Sequence, residues 1–127
     1  MEFKASHNHA RITPRKVRPI ADLVKGMPVN RALQVLKFNH RRGAYLLLKV
    51  IRSAVANAEQ NADVDLNKLV VKNAVINGGP LLGGRARFRP VSRGRVASIK
   101  KRTSHIIVHL AQSDAAPAEG AKATEQV

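Results

Sequence analysis

The side chains best suited to chemistry in this 127-residue chain are cations, and they are bunched. Eight fall in one stretch: Arg85, Arg87, Arg89, Arg93, Arg95, Lys100, Lys101 and Arg102. Between Leu66 and Gln112 there are ten basic side chains and no acidic one. Such a segment repels itself and settles only against a polyanion, for which nucleic acid is the first candidate. The alternation Arg85-Ala86-Arg87-Phe88-Arg89 puts three guanidiniums on one side of an extended leg, and Arg93 and Arg95 repeat the spacing. Guanidinium forks suit phosphate oxygens and also stack on bases. The bland alternative is a solvated basic loop without a dedicated partner.

Two smaller clusters point the same way. Arg11, Arg15, Lys16 and Arg18 surround the start of a first helix, where free backbone N–H groups favour anions. A basic solvated helix face is the competing reading. Arg41 and Arg42 open a third helix, where cations oppose the helix dipole. A phosphate lodged there would remove the conflict. Arg52, on the polar side of that helix, joins the candidate contacts.

The histidines invite a different chemistry. His7 and His9 share a strand face, as do His105 and His109, but two ligands are too few for a closed zinc site. No carboxylate in the C-terminal strands is available to orient His105 for catalysis; it is kept as a candidate nucleic-acid contact. A basic ribonuclease using His105 or His109 is the enzyme alternative, and it predicts RNA cleavage lost on His→Ala. Gly78-Gly79-Pro80 and Gly83-Gly84 are not followed by Gly-Lys-Ser/Thr, so they form no P-loop. The expectation is no enzyme, no metal and no cofactor.

These groups need a scaffold, and composition bounds it. One domain is expected at this length. Apolar residues make up 44% of the chain but aromatics only 3%, too few for a base-stacking platform. Backbone contacts to folded RNA or duplex DNA are favoured over splayed single strands. The net charge of +15 is uneven: +7 over residues 1–65, +10 over 66–112 and −2 over 113–127. With no Cys, a disulfide framework and a thiolate metal site are excluded. The N-terminus has no apolar signal core and no run reaches membrane-spanning length, so a soluble, intracellular protein with no membrane partner is expected.

Along the chain, Phe3–Arg11 alternates as a short strand. Thr13-Pro14 signals a helix start, with Val17, Ile20, Ala21 and Val24 on one face and Gly26 as the stop. Pro19 either bends this helix or marks where its regular part begins. A second helix starts at Met27-Pro28, with Val29, Ala32, Leu33 and Leu36 as its stripe, and ends near Phe38-Asn39. A third runs from about Arg41 to Asn61 with Ala44, Leu47, Leu48, Ile51, Ala54, Val55 and Ala58 inward. Leu69–Ile76 and Ile106–Leu110 read as strands. Asn77-Gly78-Gly79-Pro80 has hairpin-turn composition, but the next apolar strand starts only near Val96 or Ile99, too far for a tight turn. A long ribbon over about Gly78–Lys100 is expected instead, with its tip near Gly83–Ser92. It would reach roughly 35 Å at about 3.3 Å per residue and be mobile without a partner. Residues 113–127 have the composition of a disordered tail.

Four segments resemble a known family, the bacterial L-twenty-two family of the large ribosomal subunit. Arg11-Ile12-Thr13-Pro14-Arg15-Lys16-Val17-Arg18 is similar to its N-terminal signature. Arg42-Gly43-Ala44 opens the long helix that continues into Ser53-Ala54-Val55-Ala56-Asn57-Ala58. Gly79-Pro80 precedes the arm. Phe88-Arg89-Pro90, Arg93-Gly94-Arg95 and Lys101-Arg102-Thr103-Ser104-His105-Ile106 complete the match over about residues 5–110. Leu81–Arg87 is about three residues longer than the usual pattern, with Gly83-Gly84 inside it.

The resemblance implies an α+β fold: three helices packed on a small three-stranded antiparallel sheet with a long protruding β-hairpin. The RNA-binding domain would span 1–112. It further implies a structural constituent of the large subunit that binds its ribosomal RNA, touches neighbouring ribosomal proteins and supports assembly. The hairpin tip, Arg87, Phe88, Arg89, Pro90, Val91 and Ser92, would line the peptide exit tunnel near the nascent peptide. Localisation follows as the cytoplasmic ribosome, though the residues do not separate a bacterial from an organellar one. The runner-up is an architectural DNA-binding protein with a β-arm and a wedge at Pro90, expected to dimerise and bend duplex DNA.

Overall fold

A computed structural model describes residues 1–61 and 63–113. Strand β1 (Glu2–Ala10) leads into helices α1 (Pro14–Val24), α2 (Val29–Phe38) and α3 (Arg42–Glu59). Strand β2 (Leu69–Leu81), the short strands β3 (Arg87–Pro90) and β4 (Val96–Ile99), and β5 (Arg102–Gln112) follow. The expected α+β architecture is present. β5 is the centre of an antiparallel sheet ordered β1-β5-β2, and β3 pairs with β4 in a separate two-stranded ribbon.

The helices sit on one face of the sheet. α3 lies across β1 and β5, α1 packs on β2, and α2 packs on α3. The expected stripes supply the core: Val17, Ile20, Ala21 and Val24 from α1, with Leu47, Ile51, Ala54 and Ala58 from α3, are buried. Ile106, Val108 and Leu110 meet them from alternate positions of β5, as the two-residue period of a strand requires. Val55 and Leu33, at the margins of their stripes, are partly buried.

Helix α1 begins at Pro14, whose missing N–H is harmless in a first turn. Thr13 occupies the N-cap but its hydroxyl caps nothing; its carbonyl accepts from the Lys16 N–H at 3.1 Å. The helix runs on through Pro19, which stays on the exposed side. Gly26 then turns the chain onto the sheet: its N–H donates to the Val71 carbonyl at 2.8 Å, and Val71 N–H donates to the Met27 carbonyl at 3.0 Å.

Asn77-Gly78-Gly79-Pro80 is strand and not turn, as the distance to the next apolar run requires. Two boundaries differ from expectation. The arm leaves the sheet after Leu81 and not at Gly78, because Gly78 and Leu81 still pair with Ser104 and Arg102. Its closing turn is Val91–Arg95 and not Gly83–Ser92: Pro90 pairs with Val96, and Val91 N–H donates to the Arg95 carbonyl at 3.0 Å. Gly83-Gly84 instead belong to the root of the arm. There residues 82–86 oppose Lys100 and Lys101 alone, with both glycines at positive φ, so this stretch bulges out of the ladder. Of the expected tail, Ser113 N–H bonds the Lys68 carbonyl at 2.9 Å; residues 114–127 lie outside the described residues. No described helix is long and apolar enough to cross a membrane.

Candidate nucleic-acid interface

The antiparallel pairing of β1 and β5 puts the end of one beside the start of the other, so Ala10 faces Ser104. Arg11 leaves β1 at the point where Lys100, Lys101 and Arg102 enter β5. Helix α1 starts at the same end, carrying Arg15 and Lys16. The first turn of α3 joins them because Gly43 lets it close on α1: a Cβ there would lie 3.0 Å from Ile20 Cδ1 and 3.4 Å from Val17 Cγ2. Cations about ninety positions apart in sequence thus surround one basin at the root of the arm.

The basin has adjoining clefts. One of about 370 Å³ is lined by Arg11, Ile12, Thr13, Lys16, Arg42, Lys100, Lys101 and Arg102. A neighbour of about 280 Å³ shares Arg11, Arg42, Lys101 and Arg102 with it and adds Leu82, Arg87 and Thr103. A third, of about 360 Å³, lies between the starts of α1 and α3 and is lined by Ile12, Arg15, Lys16, Pro19, Arg41, Arg42 and Gly43. Its floor is apolar and its rim cationic. The α3 terminus also points free N–H groups outward, since Arg41 at the N-cap position makes no side-chain cap. Arg41 N–H is turned back onto Asn39 Oδ1 at 3.0 Å.

Among the described residues none of these cations is paired with a carboxylate. Among the described residues the ion pairs are Lys68 with Asp65 at 3.6 Å and Lys72 with Glu2, both outside the basin and the arm. Like charges crowded without counter-charges raise the energy of the free protein, and an incoming polyanion relieves that strain. From the basin the charge continues along the arm. Arg87 and Arg89 on β3, Arg93 and Arg95 in the closing turn, and Arg85 in the root bulge are all exposed. Every residue of β3 and β4 is exposed, including Phe88 at 70%, the one aromatic ring on the arm.

Three predicted contacts stand apart. Arg18 points toward β2, its Nη2 donating to the Ile76 carbonyl at 3.4 Å. Arg52 is exposed on α3 and lines none of the basin's clefts. His105 is half-buried in the sheet, its Nδ1 accepting the His9 N–H at 3.1 Å, so that nitrogen is committed to the fold. No group of three or more His, Asp or Glu side chains that could hold a metal ion occurs among the described residues. Sequence reasoning missed Leu82 and Thr103 as cleft walls; no signal for them exists until β2 is known to run past Gly79-Pro80.

The family model for ribosomal protein L22p/L17e matches residues 5–111, nearly all of the body together with the arm. The chain belongs to this family. Its relatives include proteins described as large ribosomal subunit protein uL22. That of Clostridium novyi is 47% identical over 106 residues, covering 84% of this chain and 93% of its own. That of Ligilactobacillus salivarius is 50% identical over 105 residues, covering 83% and 89%. That of Desulfatibacillum aliphaticivorans is 49% identical over 112 residues, covering 88% and 100%. The family is one of ribosomal proteins and not of enzymes, which removes the ribonuclease reading of His105 and His109.

Proposed function

We propose that the chain is a structural component of the large ribosomal subunit in the cytoplasm, holding large-subunit ribosomal RNA by its backbone. The supporting observation is the basin. Arg11, Lys16, Arg42, Lys101 and Arg102 converge from α1, α3, β5 and the segments beside β1 and β5, with no carboxylate among the cleft-lining residues, and the charge runs on along the arm. RNA segments that repel one another pack together when such cations stand between their phosphates. The scarcity of aromatic rings fits this mode, because stacking contributes little to it.

The arm extends the same chemistry away from the body. Arg93 and Arg95, with Lys100, Lys101 and Arg102 nearer the root, track converging phosphates, and RNA orders a ribbon that has no core of its own. Its distal end, from Arg87 through Ser92 and the turn at Arg93–Arg95, is the part placed to line the exit tunnel and meet a nascent peptide. Neighbouring ribosomal proteins complete the partners, and assembly of the subunit depends on the RNA contacts.

The salt dependence of binding to protein-free large-subunit RNA tests this. Changing Arg42 or Lys101 to Ala should weaken binding and lower the log–log salt slope by about one per lost phosphate contact. The native protein should also stay with the large subunit when ribosomes are sedimented in high salt. Slopes unchanged by either substitution, or equal preference for duplex DNA accompanied by a stable dimer, would refute the assignment.

A further inference from the structure

The sheet becomes the arm at an elbow built around three consecutive residues of β5. On the β1 side the register passes from His7 opposite Ile106 to Ala10 opposite Ser104, so Asn8 and His9 face His105 alone. On the β2 side it passes from Gly78 opposite Ser104 to Leu81 opposite Arg102, so Gly79 and Pro80 face Thr103 alone. Each is a β-bulge, which bends the strand that carries it and increases the local twist. Two bulges thus flank Ser104, one from each neighbouring strand.

Each bulge is pinned by a β5 side chain. His105 Nδ1 accepts the His9 N–H at 3.1 Å, holding His9 at φ 56, a conformation rare for a residue with a Cβ. The two imidazoles meet edge to face, with centroids 4.9 Å apart. On the other side the Thr103 hydroxyl donates to the Pro80 carbonyl. Position 79 must be glycine: a Cβ would fall 2.5 Å from Thr103 Oγ1 and 3.2 Å from His105 Cε1. Thr103 is buried and β-branched, so it cannot swing aside cheaply. Ser104 is fully buried, and its hydroxyl has no hydrogen-bond partner among the described residues.

We propose that His9, Gly79, Thr103 and His105 are positioning residues that fix the direction in which the arm leaves the body. The direction in which β2 and β5 hand over to the arm is set in the free protein, whatever orders the ribbon beyond; only its consequence for affinity rests on the RNA-binding reading. Basin and arm are two cationic surfaces joined by this elbow. A fixed elbow lets both engage their phosphates at once, so the second contact forms at high effective concentration. A loosened elbow leaves only a fraction of molecules competent, and apparent affinity falls by that fraction. The number of phosphates neutralised does not change, so the salt slope should not change either.

The chain has no cysteine, so spin labels can be placed at will. Ser53→Cys on α3 and Ser98→Cys on the arm are both exposed. In the full-length protein, Thr103→Val should shift or widen the distance distribution between the labels, and Thr103→Ser, which keeps the hydroxyl, should restore it. Gly79→Ala should act in the same direction. Binding of Thr103→Val to protein-free large-subunit RNA should be about tenfold weaker with an unaltered salt slope. Distance distributions indifferent to Thr103→Val, measured on protein shown to be folded by circular dichroism, would overturn the proposal. Should Gly79→Ala fail to fold, the Thr103 pair decides alone. Failure of the unsubstituted protein to bind RNA would remove the functional reading and leave the elbow to stand or fall on the distances.

Discussion

The pairing of β5 with β2 and the pairing of β3 with β4 use the same antiparallel ladder, yet they are stabilised differently. In the body Ile106, Val108 and Leu110 are fully buried beneath the helices, and the ladder rides on a packed core. In the arm every residue of both strands is exposed, so hydrogen bonding and turn geometry are all that hold the pair. An isolated two-stranded ribbon is marginal in water. The body is therefore a scaffold stable by itself, and the arm is a shape whose stability is supplied by whatever surrounds it.

The sharpest way to break this contrast is to remove packing from each side in turn. Ile51 is fully buried on α3 between the sheet and the other helices. Ile51→Ala should cost about 2–5 kcal/mol of unfolding free energy, from lost transfer energy plus the cavity left behind. Phe88→Ala, on the exposed arm, should stay within about 0.5 kcal/mol of the parent although it removes a larger side chain. Urea denaturation measures both. Comparable losses would mean that the arm packs on the body and that the division is false.

A smaller effect separates folding from binding within the body. Arg42 begins α3, where its charge opposes the helix dipole and faces the other basin cations without an acidic neighbour in the first turn. Arg42→Ala should raise the stability of the free protein by about 0.3–1 kcal/mol at low salt, the scale of a charge at a helix end. Under the proposed function the same change should weaken RNA binding. A thermal melt at low and high salt checks it: the gain should shrink as salt screens the repulsion. A loss of stability would show that Arg42 is held by the fold and not reserved for a partner.

The body was legible because its apolar residues obey one period or the other. The stripes of α1 and α3 and the alternation in β5 each point to one buried face, and burial followed them closely. The presence of the arm was legible from uncompensated charge between two apolar runs. Its geometry was not. Whether Gly83-Gly84 or Ser92–Gly94 forms the closing turn depends on which residues pair across the ribbon, and exposed strands carry no hydrophobic pattern to set register. The basin was half legible. Each cationic cluster was visible alone, but their convergence follows from the β1–β5 pairing and the close approach at Gly43, neither of which local sequence encodes. The bulges at His9 and Gly79 gave no signal beyond a glycine before a proline, because a bulge is defined by its partner strand.

The smallest expected effect lies at the far end of the sheet, where a cross-strand ion pair stands in contrast to the cations at the other end, which have no ion-pair partner among the described residues. Lys72 and Glu2 bridge β2 and β1 across the central strand β5, and both are solvent-exposed. The hydrogen bond and charge of Lys72 hold the Glu2 carboxyl below its ordinary value of 4.5. A carboxylate whose pKa is lowered by folding stabilises the fold at every pH above its unfolded value. That contribution drains away as pH falls below 4.5 and through the lowered folded value, where the native carboxylate finally takes up its proton. Glu2→Gln should therefore lower the denaturation midpoint slightly near neutrality and not at all in strong acid, with high salt erasing the gap because an exposed pair is screened. Midpoints of the parent and Glu2→Gln, followed from neutral to acid pH, give the test. A gap that persists below the folded pKa would show that Glu2 acts through packing or its backbone and not through its charge, and the contrast with the unpaired basin would lose its electrostatic basis.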